Sequence, residues 1–152
     1  MKNPIIFLII AIALTSCGGN VVFKEYKKLD NISWDRFDVL NFELEVKKDQ
    51  LLDFDLLLRH HTLYPYDYLD INITFYPPSG GQMSRDYKFK LKDKEGKWLA
   101  SGAGDFWDIE LNIRDEMKFN KDGICKVRLE NKMTKIKLPG IIEVGLKAKV
   151  HK

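Results

Sequence analysis

From about Asp38 to the end of the chain, apolar and polar residues alternate with a period of two. This period is typical of β-strands that bury one face, because successive side chains of a strand point to opposite sides. In the segment DVLNFELEV, for example, Phe42 and Leu44 share one face, and Glu43 and Glu45 share the other. The other alternating segments are residues 53–61 (more weakly), 68–76, 85–93, 107–113, 123–131 and 141–150, with an eighth strand predicted near 133–138.

Clusters of proline, glycine and asparagine separate these segments, at residues 77–81, 94–96, 120–123 and 139–140. Half-buried strands at this spacing predict an all-β fold, a two-sheet antiparallel β-sandwich of about eight strands in which jelly-roll connections are one option. At most one helical turn is expected, in residues 113–121. The strand faces predict a core that includes Leu40, Phe42, Leu44, Ile71, Ile73, Phe89, Leu111, Val127, Val144 and Leu146.

The first 16 residues have the features of a bacterial lipoprotein signal peptide. Lys2 precedes ten apolar residues, 5–14, whereas a membrane-spanning helix needs about 20. The sequence Leu-Thr-Ser-Cys that ends at Cys17 resembles a lipobox, in which the cysteine thiol takes a diacylglycerol and the signal peptidase cuts just before it. Residues 1–16 are therefore predicted to be the signal peptide, and Cys17 is predicted to be a lipidated membrane anchor.

The mature chain is expected to consist of a tether and one domain. Residues 17–30 are predicted to be the lipidated N-terminus and tether, which has apolar positions that would let it join a sheet near Phe23 to Tyr26. Residues 31–152 are predicted to form a single β-sandwich domain.

Net charge and cysteine content indicate which kinds of partner and which thiol chemistry to expect. The full chain has 25 Lys and Arg against 22 Asp and Glu, and removal of Lys2 with the signal peptide leaves 24 against 22, or +2. Charge this balanced and evenly spread does not indicate nucleic acid as a partner. With Cys17 acylated, Cys125 has no partner cysteine, and its place in an alternating segment predicts a buried, unreactive thiol.

Nothing in the sequence indicates a catalytic centre, a cofactor or a metal site. His60 and His61 are adjacent, so in a strand they point to opposite faces, and His151 lies at a chain end that we expect to fray. All three are interpreted as surface or edge histidines rather than metal ligands. Glu43 and Glu45 are spaced like a glycosidase carboxylate pair, but the alternation places them on a solvated face.

Two stretches that are rich in loop-forming residues concentrate aromatic side chains. They are HTLYPYDYLD, residues 61–70, and EGKWLASGAGDFWD, residues 95–108. One interpretation is a bent strand whose tryptophans belong to the core. The other is an aromatic surface that binds a partner protein or, as second choice, a glycan. The candidate partner-binding residues are Tyr64, Tyr66, Tyr68, Trp98, Asp105 and Trp107.

Four motifs occur in an order that carries a family resemblance. They are Trp34 ahead of Asp38-Val39-Leu40, then Tyr64-Pro65-Tyr66, then Gly96-Lys97-Trp98-Leu99 with Gly102, Gly104 and Asp105, and finally Leu138-Pro139-Gly140 leading to Gly145. This order resembles the GldH family of gliding-motility lipoproteins of the Bacteroidetes, over most of the mature chain. The resemblance implies a non-enzymatic envelope lipoprotein, an accessory or interaction component of the gliding and associated secretion apparatus.

The expected location is the cell envelope, with the lipid on Cys17 held in a membrane and other envelope proteins as partners. We favour the periplasmic face of the outer membrane over the inner membrane. The alternative function is a lipid-anchored carbohydrate-binding module, which requires the tryptophans and tyrosines to form a flat, exposed row. A hydrolase would require two close, buried carboxylates.

Overall fold

The alternating segments form antiparallel strands in a computed structural model that describes residues 20–152. The strands are β1 (Val21–Lys28), β2 (Ser33–Asp35), β3 (Leu40–Val46), β4 (Leu51–His61), β5 (Tyr68–Tyr76), β6 (Met83–Lys90), β7 (Ser101–Ala103), β8 (Phe106–Lys118), β9 (Gly123–Asn131), β10 (Lys137–Pro139) and β11 (Ile141–Val150). The one helical element among these residues is a 3-10 turn, Asp30–Ile32. The prediction of an all-β fold is confirmed.

The strands make two main sheets, and a short ribbon of β2 and β10 lies beside them. The strand order is β1-β11-β4-β8-β7 in one sheet and β3-β9-β5-β6 in the other. The pairing is nested along the chain, because β6 pairs with β5, β8 with β4, β9 with β3, and β11 with β1. Eight main strands nested in this way over two antiparallel sheets form a jelly roll, the option that the sequence left open.

The core lies between the two sheets, where the inward faces of the strands meet. The predicted core residues that are fully buried are Phe42, Leu44, Ile71, Ile73, Val127, Val144 and Leu146. Leu40, Phe89 and Leu111 are only partly buried against this core. Phe89 lies on β6, the last strand of its sheet, and Leu111 lies on a part of β8 that β7 does not cover. Alternation identifies the inward face of a strand but does not reveal that the strand lies at an open edge.

β4 is buried on both faces over most of its length, which explains why its alternation is weak. Residues 52–58 are all buried, and Leu57 is buried on the outward face. The Tyr26 ring reaches this face across Gly145, where a Cβ atom would lie 2.9 Å from the ring and 3.2 Å from Leu57. The strand lies at the centre of its sheet, so its neighbours on both sides supply the cover.

The helical turn predicted in residues 113–121 is wrong. β8 continues to Lys118, and its register with β4 shifts near Phe54. Glu116 has a φ of 54°, and its N–H donates to the Asp53 carboxylate at 2.9 Å. An irregularity of this kind inserts a residue into a strand, and the sequence gives no strong turn signal for it.

The predicted tether contributes an edge strand. β1 pairs with β11, and Phe23 packs against the core, in the region where the sequence allowed the tether to join a sheet. Strand structure therefore begins at Val21, ahead of the predicted domain boundary at residue 31. Residues 1–19, with the predicted signal peptide and Cys17, lie outside the described part of the chain. Within the described part, no helix has the length and apolar character that crossing a bilayer would require.

Candidate functional site

The long connections of the sandwich gather at one end, which we call the loop end. They are residues 29–39, 62–67, 91–105 and 132–140, including the short strands β2, β7 and β10. Backbone hydrogen bonds of 2.8 Å join them, from the N–H of Thr62 to the carbonyl of Asp105 and from the N–H of Gly140 to the carbonyl of Ile32. The opposite end carries the shorter connections 47–50, 77–82 and 119–122, together with the start of β1 and the end of β11.

The two aromatic stretches meet at the loop end. The Tyr64 ring lies 6.3 Å from the Trp98 ring and 5.8 Å from the Tyr66 ring, measured between centroids, and Tyr66 lies 6.0 Å from Tyr68. Aromatic rings at this separation make favourable edge contacts. We call Tyr64, Tyr66, Tyr68 and Trp98 the aromatic cluster.

Burial separates the members of this cluster. Tyr64 is 2% exposed, and its hydroxyl donates to the Tyr68 carbonyl at 2.9 Å. Burial also raises the pKa of Tyr64 well above its usual range. Tyr66, Tyr68 and Trp98 are half-buried. Tyr64 therefore supports the cluster from inside the core, and the other three pack against the core and remain partly accessible to solvent.

The rings of the aromatic cluster do not form a flat row. Their planes are tilted by 46° between the buried Tyr64 and Trp98 and by 57° between Tyr66 and Tyr68. Lysines also lie against two of them, with the Lys88 ammonium 4.0 Å from the Tyr68 centroid and the Lys92 ammonium 4.1 Å from the Trp98 centroid. Cation–π contacts of this kind occupy ring faces on which a sugar would stack.

Asp105 and Trp107 take different positions at the same end. Asp105 is exposed in the turn before β8, and its carbonyl holds the 62–67 connection through Thr62. Trp107 faces inward opposite His60 in the β4–β8 register and is half-buried. Its indole N–H is buried without a hydrogen-bond partner among the described residues. Of the six candidates, Asp105 is exposed, Tyr64 is buried, and the other four are half-buried, with the polar atom of Trp107 turned inward.

His60 is a core residue, which corrects its interpretation as a surface or edge histidine. It is 0% exposed, its ring lies 4.3 Å from that of Trp98, and its Nδ1 lies 3.1 Å from the His61 carbonyl oxygen. Desolvation by burial lowers the pKa of His60, which favours a neutral ring. The signal for this burial was its place on the inward face of β4, two residues after Leu58.

His151 is also placed differently from the frayed end that the sequence suggested. Its Nδ1 lies 2.8 Å from an Asp53 carboxylate oxygen, and its Nε2 lies 3.0 Å from a Glu116 carboxylate oxygen. This site at the opposite end of the sandwich depends on the irregularity of β8 at Glu116, which alternation does not predict.

Sequence reasoning missed a set of exposed apolar side chains at the loop end. The described large apolar residues that are at least half exposed all lie in or beside its connections: Phe37 (76%), Leu63 (78%), Leu99 (50%), Phe106 (54%) and Ile136 (58%). Leu63 and Phe106 are neighbours through His61, whose ring lies 6.1 Å from that of Phe106 and whose Nδ1 accepts the Leu63 N–H. The sequence signal that could have identified these side chains was the presence of apolar residues inside the turn-rich segments.

The described residues offer little material for catalysis. Among residues 20–152, no three His, Cys, Asp or Glu side chains are grouped as a metal site. Cys125 is free and buried, as predicted, and desolvation raises its pKa to about 11, which disfavours the reactive thiolate. Glu43 is more than half exposed and pairs with Lys126 at 3.3 Å, as expected on a solvated face.

Comparison with known proteins gives a family match over most of the chain. The model of the GldH lipoprotein family matches residues 21–148. A gliding motility lipoprotein GldH homolog of Christiangramia forsetii is 27% identical over 150 residues, covering 93% of this chain and 91% of its own length. The gliding motility lipoprotein GldH of Flavobacterium johnsoniae is 28% identical over 144 residues, covering 93% and 88%.

Solved structures give only a distant similarity. The subviral particle structure of infectious bursal disease virus VP2 aligns with a TM-score of 0.40 at 12% identity, covering 86% of this chain and 30% of that one. A similarity at this level carries no inference about either fold or function.

Proposed function

We propose that this chain, which belongs to the GldH lipoprotein family, is a lipid-anchored, non-enzymatic envelope protein that binds other components of a gliding and secretion apparatus. The observation that carries the proposal is the family match over residues 21–148, supported by two relatives named as gliding motility lipoproteins. The lipobox that ends at Cys17 supplies the anchor. We place the protein at the periplasmic face of the outer membrane.

The loop end is the proposed docking surface. It combines the exposed rings of the aromatic cluster with the five apolar side chains that solvent reaches most. Aromatic and apolar side chains of this kind dominate the binding energy of protein interfaces. The outward faces of the sheets carry ion pairs, such as Lys126 with Glu43, which contribute little to binding when exposed.

The position of the predicted anchor orients the docking surface relative to the membrane. β1 begins at the end of the sandwich opposite to the loop end. From Cys17 to Val21 the chain can reach at most about 14 Å. The membrane therefore faces the end with the shorter connections, and the loop end faces away from the membrane, toward partners in the envelope.

No observation favours the carbohydrate-binding alternative over a protein partner. The exposed rings are tilted against each other, and lysines lie against Tyr68 and Trp98. A sugar platform would need parallel faces that are open to solvent. The partner-binding residues that we propose are Tyr66, Tyr68, Trp98 and Asp105, with Tyr64 and Trp107 positioning them from the core.

Lipidation is tested by changing the anchor residue. Cys17→Ala is expected to leave an unprocessed precursor without fatty acid, because the thiol accepts the diacylglycerol before cleavage. Cys125→Ala is the matched control and should be processed and acylated like the wild type, since its thiol is buried. Intact-mass analysis reads both outcomes. An unacylated N-terminus on the mature wild-type protein would contradict the anchor.

Docking is tested separately, on variants that remain lipidated. Leu63→Asp with Phe106→Asp places two charges on the loop end and is expected to remove cross-links to envelope proteins, with little change in melting temperature because both side chains are more than half exposed. Val22→Asp with Ile124→Asp adds the same charge at side chains that are 47% and 46% exposed elsewhere. Equal loss of cross-links in the two double variants would show that the loop end is not the docking surface.

A further inference from the structure

One flank of the sandwich is open, between the edges of β6 and β8. β6 is the last strand of its sheet, and β7 covers only residues 106–108 of β8. The other flank, between β1 and β3, is bridged by Lys27, whose ammonium lies 5.3 Å from the centre of the Phe42 ring. The strand edges at the open flank therefore have unpaired backbone groups that can accept another strand.

A groove of about 460 Å³ lies along this open flank. Its floor is apolar, formed by Ile73, Phe75 and Ile113, which are 1%, 3% and 5% exposed. Tyr87 crosses the gap between the sheets, and its hydroxyl donates to the Ile113 carbonyl at 3.0 Å. Ile113 is skipped where the register between β4 and β8 shifts, and its carbonyl accepts from a side chain of the other sheet instead.

Two arginines without carboxylate partners line the same groove. Arg85 lies over the Tyr87 ring, with its guanidinium carbon 5.3 Å from the ring centre, and Arg114 contacts the Met83 sulfur at 3.4 Å. Neither forms an ion pair within the described residues. Arg59 and Arg128, by contrast, each bind carboxylates at 2.8 Å. An unpaired guanidinium is a ready donor to a carboxylate of another molecule.

We propose that this groove binds an extended, acidic segment of another envelope protein, which adds to the sheet as a strand along the free edge of β6. Strand addition draws its affinity from main-chain hydrogen bonds and its specificity from side chains that alternate between the two faces. On the inward face the added strand meets Arg85 and the apolar floor. On the outward face it meets Lys90, Asp86 and Lys88, whose ammonium also lies 3.7 Å from an Asp70 carboxylate oxygen, so basic side chains of β6 outnumber the acidic one. Carboxylates on both faces of the segment fit these charges.

The same charges disfavour a second copy pairing through its own β6. Two β6 edges would bring three basic side chains, Arg85, Lys88 and Lys90, and one acidic side chain, Asp86, from each copy into one strand pair. The excess of like charge across such a pair is destabilising. Lysines on an edge strand commonly protect it from pairing with itself. These lysines do not prevent pairing with an acidic strand, so the edge of β6 would select an acidic partner over another copy of itself.

The test uses the full lipidated chain in detergent micelles and a synthetic peptide. The peptide has eight residues, the length of β6, with glutamate alternating with valine and threonine. Binding is expected to shift the amide NMR signals of β6 and of residues 113–114, and to weaken as salt increases. A peptide with lysine in place of glutamate is expected not to bind. Equal binding of the lysine peptide would overturn the proposal.

Three further measurements separate the components of the proposal. Arg85→Glu with Arg114→Glu is expected to lower peptide affinity about tenfold or more, whereas Lys94→Glu with Lys97→Glu makes the same charge change in an exposed turn and should not. N-methylation of alternate peptide amides is expected to abolish binding, because it removes the strand hydrogen bonds. Equal loss in both double variants, or unchanged binding after N-methylation, would overturn strand addition. The proposal would also be overturned if the protein formed oligomers as its concentration increased and the Arg85→Glu, Arg114→Glu variant did not. Such a result would identify a second copy of the chain as the occupant of the groove.

Discussion

His151 lies between two carboxylates, with its Nδ1 2.8 Å from Asp53 and its Nε2 3.0 Å from Glu116, and this arrangement favours the ring that carries both protons. The hydrogen bond to Asp53, followed by the charges of Asp53 and Glu116, raises the pKa of His151. At Asp53, desolvation opposes ionisation, but the hydrogen bonds from the Glu116 N–H and from His151 prevail and lower its pKa. These contacts hold the last residues of the chain against β4 and the irregular part of β8.

The sign of this linkage predicts how stability depends on pH. A raised histidine pKa contributes stability that is fully present below the usual value of 6.5 and is lost as the pH rises through the folded-state value. His151→Gln should therefore lower the melting temperature at pH 6, and this effect should shrink as the pH rises and His151 loses its charge, because Asp53 stays ionised over this range. Lys152→Gln is the neighbouring control, with a small effect over the same range. A His151→Gln effect that grows with pH would contradict this reasoning.

Tyr64 and Tyr66 make a second prediction at the scale of single residues. Tyr64→Ala is expected to cost about 3–5 kcal/mol of unfolding free energy, like other large aromatic truncations in a core, because it is 2% exposed. Tyr66→Ala, which removes a half-buried ring, should cost clearly less. Equilibrium denaturation compares the two variants. Equal costs would show that Tyr66 is as much a packing residue as Tyr64, and would remove it from the docking surface.

At the scale of elements, the attachment of β1 depends on a close approach at Gly145. A Cβ atom at this position would lie 2.7 Å from the Glu25 carbonyl oxygen and 2.9 Å from the Tyr26 ring, both on β1. β1 is an edge strand, so β11 is its one strand neighbour in the sheet. The absence of a side chain at Gly145 thus lets the strand nearest the anchor pair closely with the rest of the sheet.

Gly145→Ala is expected to destabilise the protein by about 1–3 kcal/mol, the usual range for overpacking. Hydrogen exchange should speed up first in β1, because the clash is with its backbone. Lys24→Ala changes an exposed side chain on the same strand and should stay within about ±0.5 kcal/mol. Unchanged exchange in β1 of the Gly145 variant would mean that the methyl group is accommodated without loosening β1, and would contradict this prediction.

The elements also show what alternation can and cannot predict. The faces of β3, β5 and β9 follow from sequence, because each is amphipathic with a period of two, and Phe42, Ile73 and Val127 are buried as expected. Alternation carries no information on which strand lies at an edge, so the partial exposure of Phe89 was not predictable. The approach of the two aromatic stretches depends on the nested pairing, which is a long-range property of the chain.

At the scale of the whole molecule, we propose different roles for the two ends of the sandwich. The end that carries Asn20 and the shorter connections lies next to the predicted anchor, and the loop end lies farthest from it. β11 has ten residues, so at about 3.3 Å per residue the two ends are about 33 Å apart. The predicted lipid anchor, with so short a spacer, would set the height of the loop end above the membrane.

This orientation predicts a gradient of membrane proximity. In the lipidated protein in vesicles, a fluorophore on Lys121→Cys should be quenched by headgroup-labelled lipids, and one on Leu63→Cys should not, because they lie at opposite ends. Unlabelled Cys125 does not interfere, since it is buried. Stronger quenching at position 63 would place the loop end on the membrane and would contradict its role as a protein-docking surface.

The nested pairing has a consequence for how the chain acquires its structure. Val21 pairs with Lys149, so the first strand finds its partner only when nearly the whole chain is present. Sandwiches rich in such distant pairings fold on the scale of milliseconds to seconds, because the loop must close before any contact forms. The central hairpin, β5 with β6, needs only local contacts, whereas the strand nearest the predicted anchor pairs with the last strand of the sandwich. Biogenesis at the membrane would then end, rather than begin, with the docking of the anchored strand.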